Sequence, residues 1–163
     1  MKRLILAMAV IAFSTATVKA QDDVASKKVG ISVAANVGLP TTTGYSFAVG
    51  GDLQADFAAT EGLKITVSGG YENYSFKKSL GGGSFGFIPL LAGAKFNLGS
   101  DKLYGHAQLG YGFASEGGGG AFSYAPSIGY YLSPNFDASL KYLAFSKNGF
   151  TLGSINLRLA YNF

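Results

Sequence analysis

Eight segments of alternating apolar and polar side chains, joined by turns rich in Gly, Asn and Pro, predict an all-β protein: an eight-stranded antiparallel up-and-down transmembrane β-barrel. Three observations carry that prediction. Each segment runs roughly 9 to 14 residues, the length a tilted strand needs to cross a bilayer. The apolar faces of all eight contain no charged residue. The composition, with 24 Gly, 10 Tyr and 13 Phe in 163 residues and neither Cys nor Trp, suits short strands and turns better than helices.

Before the first strand come two segments outside the fold. Residues 1–20 read as an export signal that is cleaved: Lys2 and Arg3 form a charged start, Leu4 to Phe13 an apolar run, and Val18-Lys19-Ala20 a small-x-Ala cleavage site. The run is too short to span a bilayer as a helix. Gln21 to Lys28 is a polar periplasmic lead-in, and the barrel occupies 29–163. Cleavage would remove Lys2, Arg3 and Lys19 from thirteen basic residues, leaving ten against nine acidic. The basic balance therefore gives no argument for nucleic acid.

The first strand, Val29 to Leu39, sets Val29, Ile31, Val33, Val37 and Leu39 on one face and only small or amide residues on the other. The second, Tyr45 to Ala58, opposes Phe47, Val49, Leu53 and Phe57 to Asp52, Gln54 and Asp56. The third, Leu63 to Glu72, sets Ile65, Val67 and Tyr71 against Lys64, Thr66, Ser68 and Glu72. In the fourth, Phe87 to Phe96, Ile88 and Leu90 point outward and Lys95 inward; Pro89 lacks a ladder donor and is expected near the strand end or at a bulge. The fifth, Leu103 to Ala114, carries His106 and Gln108 inward. The sixth, Phe122 to Leu132, exposes Tyr124, Pro126 and Ile128. The seventh, Phe136 to Ala144, turns Asp137 and Lys141 inward, and the eighth, Ser154 to Phe163, turns Arg158 inward. Of the connections, 40–44, 73–86, 115–121 and 145–151 are expected outside, with compact turns on the periplasmic side.

The inward charges are Asp52, Asp56, Lys64, Glu72, Lys95, Asp137, Lys141 and Arg158, four acidic and four basic, as a self-paired interior requires. A soluble lipocalin-like barrel would carry its charges outside. Within this set, Asp56 is expected beside Lys64 and Lys141 opposite Arg158. Arg158 is expected to reach over Ser32 and Ala34 to Asp52, and Glu72 or Asp137 to serve the lysines. Tyr45, Tyr71, Tyr74, Phe122 and Tyr124 form an expected outer aromatic girdle, and Phe57, Phe96, Tyr130, Phe136, Tyr161 and Phe163 an inner one.

The leader, the eight amphipathic strands, the strand F-I-P-L-L-A-G-A-K-F at 87–96 and the ending L-A-Y-N-F at 159–163 resemble the outer-membrane β-barrel family, in its small single-domain form of the OmpA and OmpX type. The resemblance implies residence in the outer membrane of a Gram-negative-type bacterium, with outer-membrane lipid as surroundings. It also implies that Tyr161 and Phe163 belong to an aromatic-terminated signal recognised by the barrel-assembly machinery. With the barrel expected to occupy 29–163, the resemblance does not imply the peptidoglycan-anchoring role of longer relatives.

No catalytic, cofactor or metal site emerges. Without Cys there is no thiolate and no Cys-based metal site. His106, the one histidine, sits low and inward near Lys95, where it reads as a hydrogen-bonded lumen residue. Gly81 to Gly83 and Gly117 to Gly120 lack the Lys-Ser/Thr of a phosphate-binding loop. The sequence therefore predicts a non-enzymatic barrel with a structural or surface-contact role, contacting an unidentified extracellular ligand through 73–86 and 115–121, its interior plugged by the charges. A narrow small-solute channel is the alternative. A lipid-modifying enzyme ranks third, because no Ser-His-acid set lies near the outer leaflet.

Overall fold

The computed structural model describes residues 29–117 and 119–163. The expected export signal at 1–20 and lead-in at 21–28 lie outside the described residues. The rest forms eight strands: β1 (Val29–Pro40), β2 (Tyr45–Thr60), β3 (Leu63–Phe76), β4 (Ser84–Asn97), β5 (Leu103–Ala114), β6 (Gly120–Tyr131), β7 (Phe136–Lys147) and β8 (Phe150–Asn162). Every consecutive pair is antiparallel, and β1 pairs with β8 to close the barrel. The twelve residues of β1 reach about 40 Å at ~3.4 Å each, which a tilt of ~45° reduces to about 28 Å, close to the ~30 Å hydrocarbon core.

The side chains fall as the alternation requires. Ile31, Val33, Val37, Leu53, Val67, Leu90, Leu109, Ile128, Leu140, Leu157 and Leu159 are all exposed on the barrel exterior. Ser32, Asn36, Gln54, Thr66, Gln108, Ser139 and Asn156 are buried inside. Among the described residues, the outward positions of the strands carry no Asp, Glu, Lys or Arg. A continuous apolar surface encircling the molecule far exceeds the patch a monomer exposes to water, and is what lipid solvates.

The abundance of glycine has a packing cause. Tyr111 lies against Gly120, Tyr104 against Gly129, Phe145 against Gly112 and Phe96 against Gly105, each ring filling the place where a Cβ would stand. Tyr104 and Phe96 lie over the glycine directly opposite, Tyr111 over one diagonal to it, and Phe145 reaches past β6 to Gly112, so the Gly and aromatic enrichments are one feature.

Several local expectations are corrected. Strands β1, β3, β4, β6, β7 and β8 run further toward one end than the sequence reading places them, which shortens the connections there to 41–44, 77–83, 115–119 and 148–149. This end is called the outer end. Residues 148–149 form a two-residue hairpin turn, with Asn148 at φ 52° and Gly149 at φ 81°. Left-handed conformations at both central positions suit an Asn-Gly pair and match the twist of the flanking strands. Pro89 sits mid-strand with no bulge: the β3–β4 ladder lapses between Gly69–Leu90 and Glu72–Phe87, where its missing N–H leaves no bond to make. The β6–β7 ladder lapses likewise beside Pro126.

Candidate functional site

The lumen holds the site residues, in two layers of opposite character. The inner and middle layer is polar. Asp52 of β2 accepts hydrogen bonds from Arg158 Nη2 at 2.8 Å and Nε at 3.2 Å, from Lys141 Nζ at 3.1 Å and from Asn36 Nδ2 at 3.0 Å. Arg158 reaches it from β8 across β1, where Asn36 stands opposite Arg158 and the small Ala34 opposite Asp52. Arg158 also lies 3.6 Å from Asp137, whose carboxylate accepts bonds from Tyr104 Oη at 2.6 Å and Asn162 Nδ2 at 2.9 Å. A second pair, Lys95 with Asp56 at 2.8 Å, is supported by Gln54 Nε2 at 2.6 Å and by the Tyr104 ring, 4.9 Å from the ammonium. Charges this far from bulk water persist only when paired and hydrogen-bonded, and each of these is.

Three expected pairings are not those found. Asp56 stands opposite Thr66, not Lys64; Lys64 is exposed at the inner rim, and the ammonium Asp56 meets is that of Lys95. Lys141 stands opposite Asn156, while Arg158 faces Ser139, so the two cations are offset along the hairpin and both converge on Asp52. Asp137 serves Arg158 and Tyr104 and no lysine. Glu72, 1% exposed, has no ion pair among the described residues, and its Oε1 has no hydrogen-bond partner. Strand pairing alone did not disclose these contacts because long side chains cross the lumen to strands that are not neighbours.

His106 faces inward opposite Lys95 and shares a 2.8 Å hydrogen bond with Thr66 Oγ1. No group of three or more metal-ligating side chains occurs among the described residues.

The outer layer is apolar, which the charge-based reading did not anticipate. Tyr74, Phe87, Leu91, Leu143, Phe145 and Leu152 form a buried cluster across the lumen. Phe87 and Phe145 stack at 4.1 Å between centroids, and Tyr74 meets both edge-on. Tyr74 is therefore an interior residue, 0% exposed, and not part of a lipid-facing girdle; its hydroxyl bonds Ser154 at 2.8 Å. Tyr45 also leaves the girdle. A register shift between Tyr45 and Phe47 turns it onto Tyr74 and Phe76 at the mouth. Phe122 and Tyr124 remain outside at one rim, 6.2 Å apart, and Phe136, Tyr161 and Phe163 at the other.

No protein-family model matches the chain, and no curated protein matches it in sequence. Solved structures do match in shape. The attachment invasion locus protein Ail of Yersinia pestis, in complex with the heparin analogue sucrose octasulfate, aligns with a TM-score of 0.59 at 18% identity, over 83% of this chain and 97% of that one. The N-terminal β-barrel domain of Pseudomonas aeruginosa OprF aligns with a TM-score of 0.58 at 16% identity, over 82% and 97%. Neisserial surface protein A aligns with a TM-score of 0.55 at 17% identity, over 83% and 97%. At these identities the likeness is one of fold, and the fold is that of the small eight-stranded outer-membrane barrels.

Proposed function

We propose that the chain is a resident of the outer membrane of a Gram-negative-type bacterium, serving as a sealed structural barrel with a surface-contact role rather than as a channel or an enzyme. The carrying observation is the doubly closed lumen. The Asp52–Arg158–Lys141 cluster fills its middle, and the Tyr74–Phe87–Phe145 cluster caps it toward the outer end. An eight-stranded barrel has an interior just wide enough for side chains, so either layer alone would obstruct an ion. Low, inward His106, bonded to Thr66, supports a non-catalytic reading. Segments 77–83 and 115–119 are the longer outer connections and the surface available for contact with an extracellular ligand. Tyr161 and Phe163 are proposed as the signal read by the assembly machinery.

Reconstitution into planar bilayers tests the sealed state. The reading requires no unitary conductance above background, and removal of both plugs, with Phe87→Ala, Phe145→Ala, Asp52→Ala, Lys141→Ala and Arg158→Ala combined, would be needed to create one. Steady ohmic openings by the unaltered protein would replace this reading with the small-solute channel.

A further inference from the structure

Above the stacked Phe87–Phe145 pair the outer mouth does not close flush. It forms a cavity of about 210 Å³ walled by Tyr45, Phe85, Phe87, Phe145 and Leu152, with Lys147 at its edge. The seal of the lumen requires only the layer beneath, so aromatic side chains facing a half-open cup call for a separate account. Barrel interiors are ordinarily polar, and an apolar concavity is the usual form of a small-molecule site. Among the described residues, Lys147 is the one charged residue in its lining, and no acid lines it. An engineered apolar cavity of about 150 Å³ takes up benzene, so this one accommodates a single ring or a short alkyl chain.

We propose that the outer mouth is a binding site for a small anionic amphiphile, with an apolar body of one ring or a short alkyl chain inside the cup and a carboxylate against Lys147. The Lys147 ammonium stands beside Gly119, 3.1 Å from where a Cβ would be, so a side chain there would crowd it. An ammonium has three donors, so it can serve a carboxylate together with another acceptor. Apolar cups of this shape are poorly hydrated, and filling one with an alkyl or aryl group releases water that bonds weakly.

The test uses the full chain in lipid nanodiscs, titrated with octanoate and separately with octan-1-ol, while the methyl resonances of Leu152 are followed by NMR. Saturable shifts confined to the mouth are expected, with octanoate binding more tightly than the alcohol. Lys147→Gln is expected to weaken octanoate about five-fold, the upper effect of an exposed ion pair, and to leave octanol unchanged. Ala121→Phe fills the cup and is expected to abolish both shifts; Ala114→Leu, at a less buried position, is expected to weaken both. Retained heat-modifiable migration shows that each variant is folded. Linear shifts without saturation would overturn the proposal. So would cross-relaxation from lipid acyl chains to Phe145 with no response to octanoate, which would assign the cup to bilayer lipid.

Discussion

Replacing Asp52 by alanine removes the anion on which two cations converge. Asp52 pairs with Arg158 at 2.8 Å and Lys141 at 3.1 Å, and all three side chains are less than 9% exposed. Arg158 keeps Asp137 at 3.6 Å, so its loss is partly offset. Lys141 keeps no ion pair within 4 Å among the described residues and carries most of the cost. Breaking a buried pair from one side costs about 3–5 kcal/mol, because the remaining charge stays desolvated. The retained Arg158–Asp137 contact places Asp52→Ala near the lower end, about 3 kcal/mol. Urea unfolding of protein folded into lipid vesicles measures this directly, from the midpoint at unchanged slope. Asp52→Asn preserves shape and one acceptor oxygen and should cost less than Asp52→Ala. Adding Lys141→Met to Asp52→Ala should recover part of the loss. A loss below about 1 kcal/mol for Asp52→Ala would refute the premise that these charges are withdrawn from water.

Other perturbations probe separate layers. Tyr104→Phe takes the 2.6 Å donor from the buried Asp137 carboxylate and should cost about 1–3 kcal/mol in the same assay. Gly149→Ala forces a Cβ onto a residue at φ 81° and should cost about 1 kcal/mol, whereas Asn148→Gly should be near neutral. Gly50→Ala places a methyl against the Tyr71 carbonyl and the Glu72 carboxylate, and a loss of about 1–3 kcal/mol is expected because backbone cannot yield.

The outward faces were legible because a membrane barrel obeys one rule at every strand: the lipid side takes no charge, and the period is 2. Leu157 and Asn156 could be assigned to opposite faces with no knowledge of register. The aromatic cap is written in the same alternation. Continuing the inward positions of the third strand from Glu72 reaches Tyr74, and continuing those of the seventh from Leu143 reaches Phe145. The third strand is read as ending at Glu72 and the seventh at Ala144, each one inward residue short of the ring it contributes. The Asn148-Gly149 pair, a strong local hairpin signal, would have corrected the length of the last loop. Tyr45 was harder, since a bulge reverses the face of a residue without leaving a mark in the alternation. The ion pairs were least legible. Lys95 reaches Asp56 and Lys141 reaches Asp52 across the lumen, so partner choice depends on side-chain length and barrel stagger as well as neighbouring register.

The central claim is that the apolar face looks outward into lipid, and the absence of native tryptophan makes it directly measurable. Leu157, exposed mid-strand between Val37 and Leu140, is replaced by Trp, and the protein is folded into vesicles with brominated acyl chains. The account predicts blue-shifted emission that is strongly quenched by bromines near the bilayer centre. Red-shifted emission untouched by brominated lipid would place this face in water and contradict the membrane barrel.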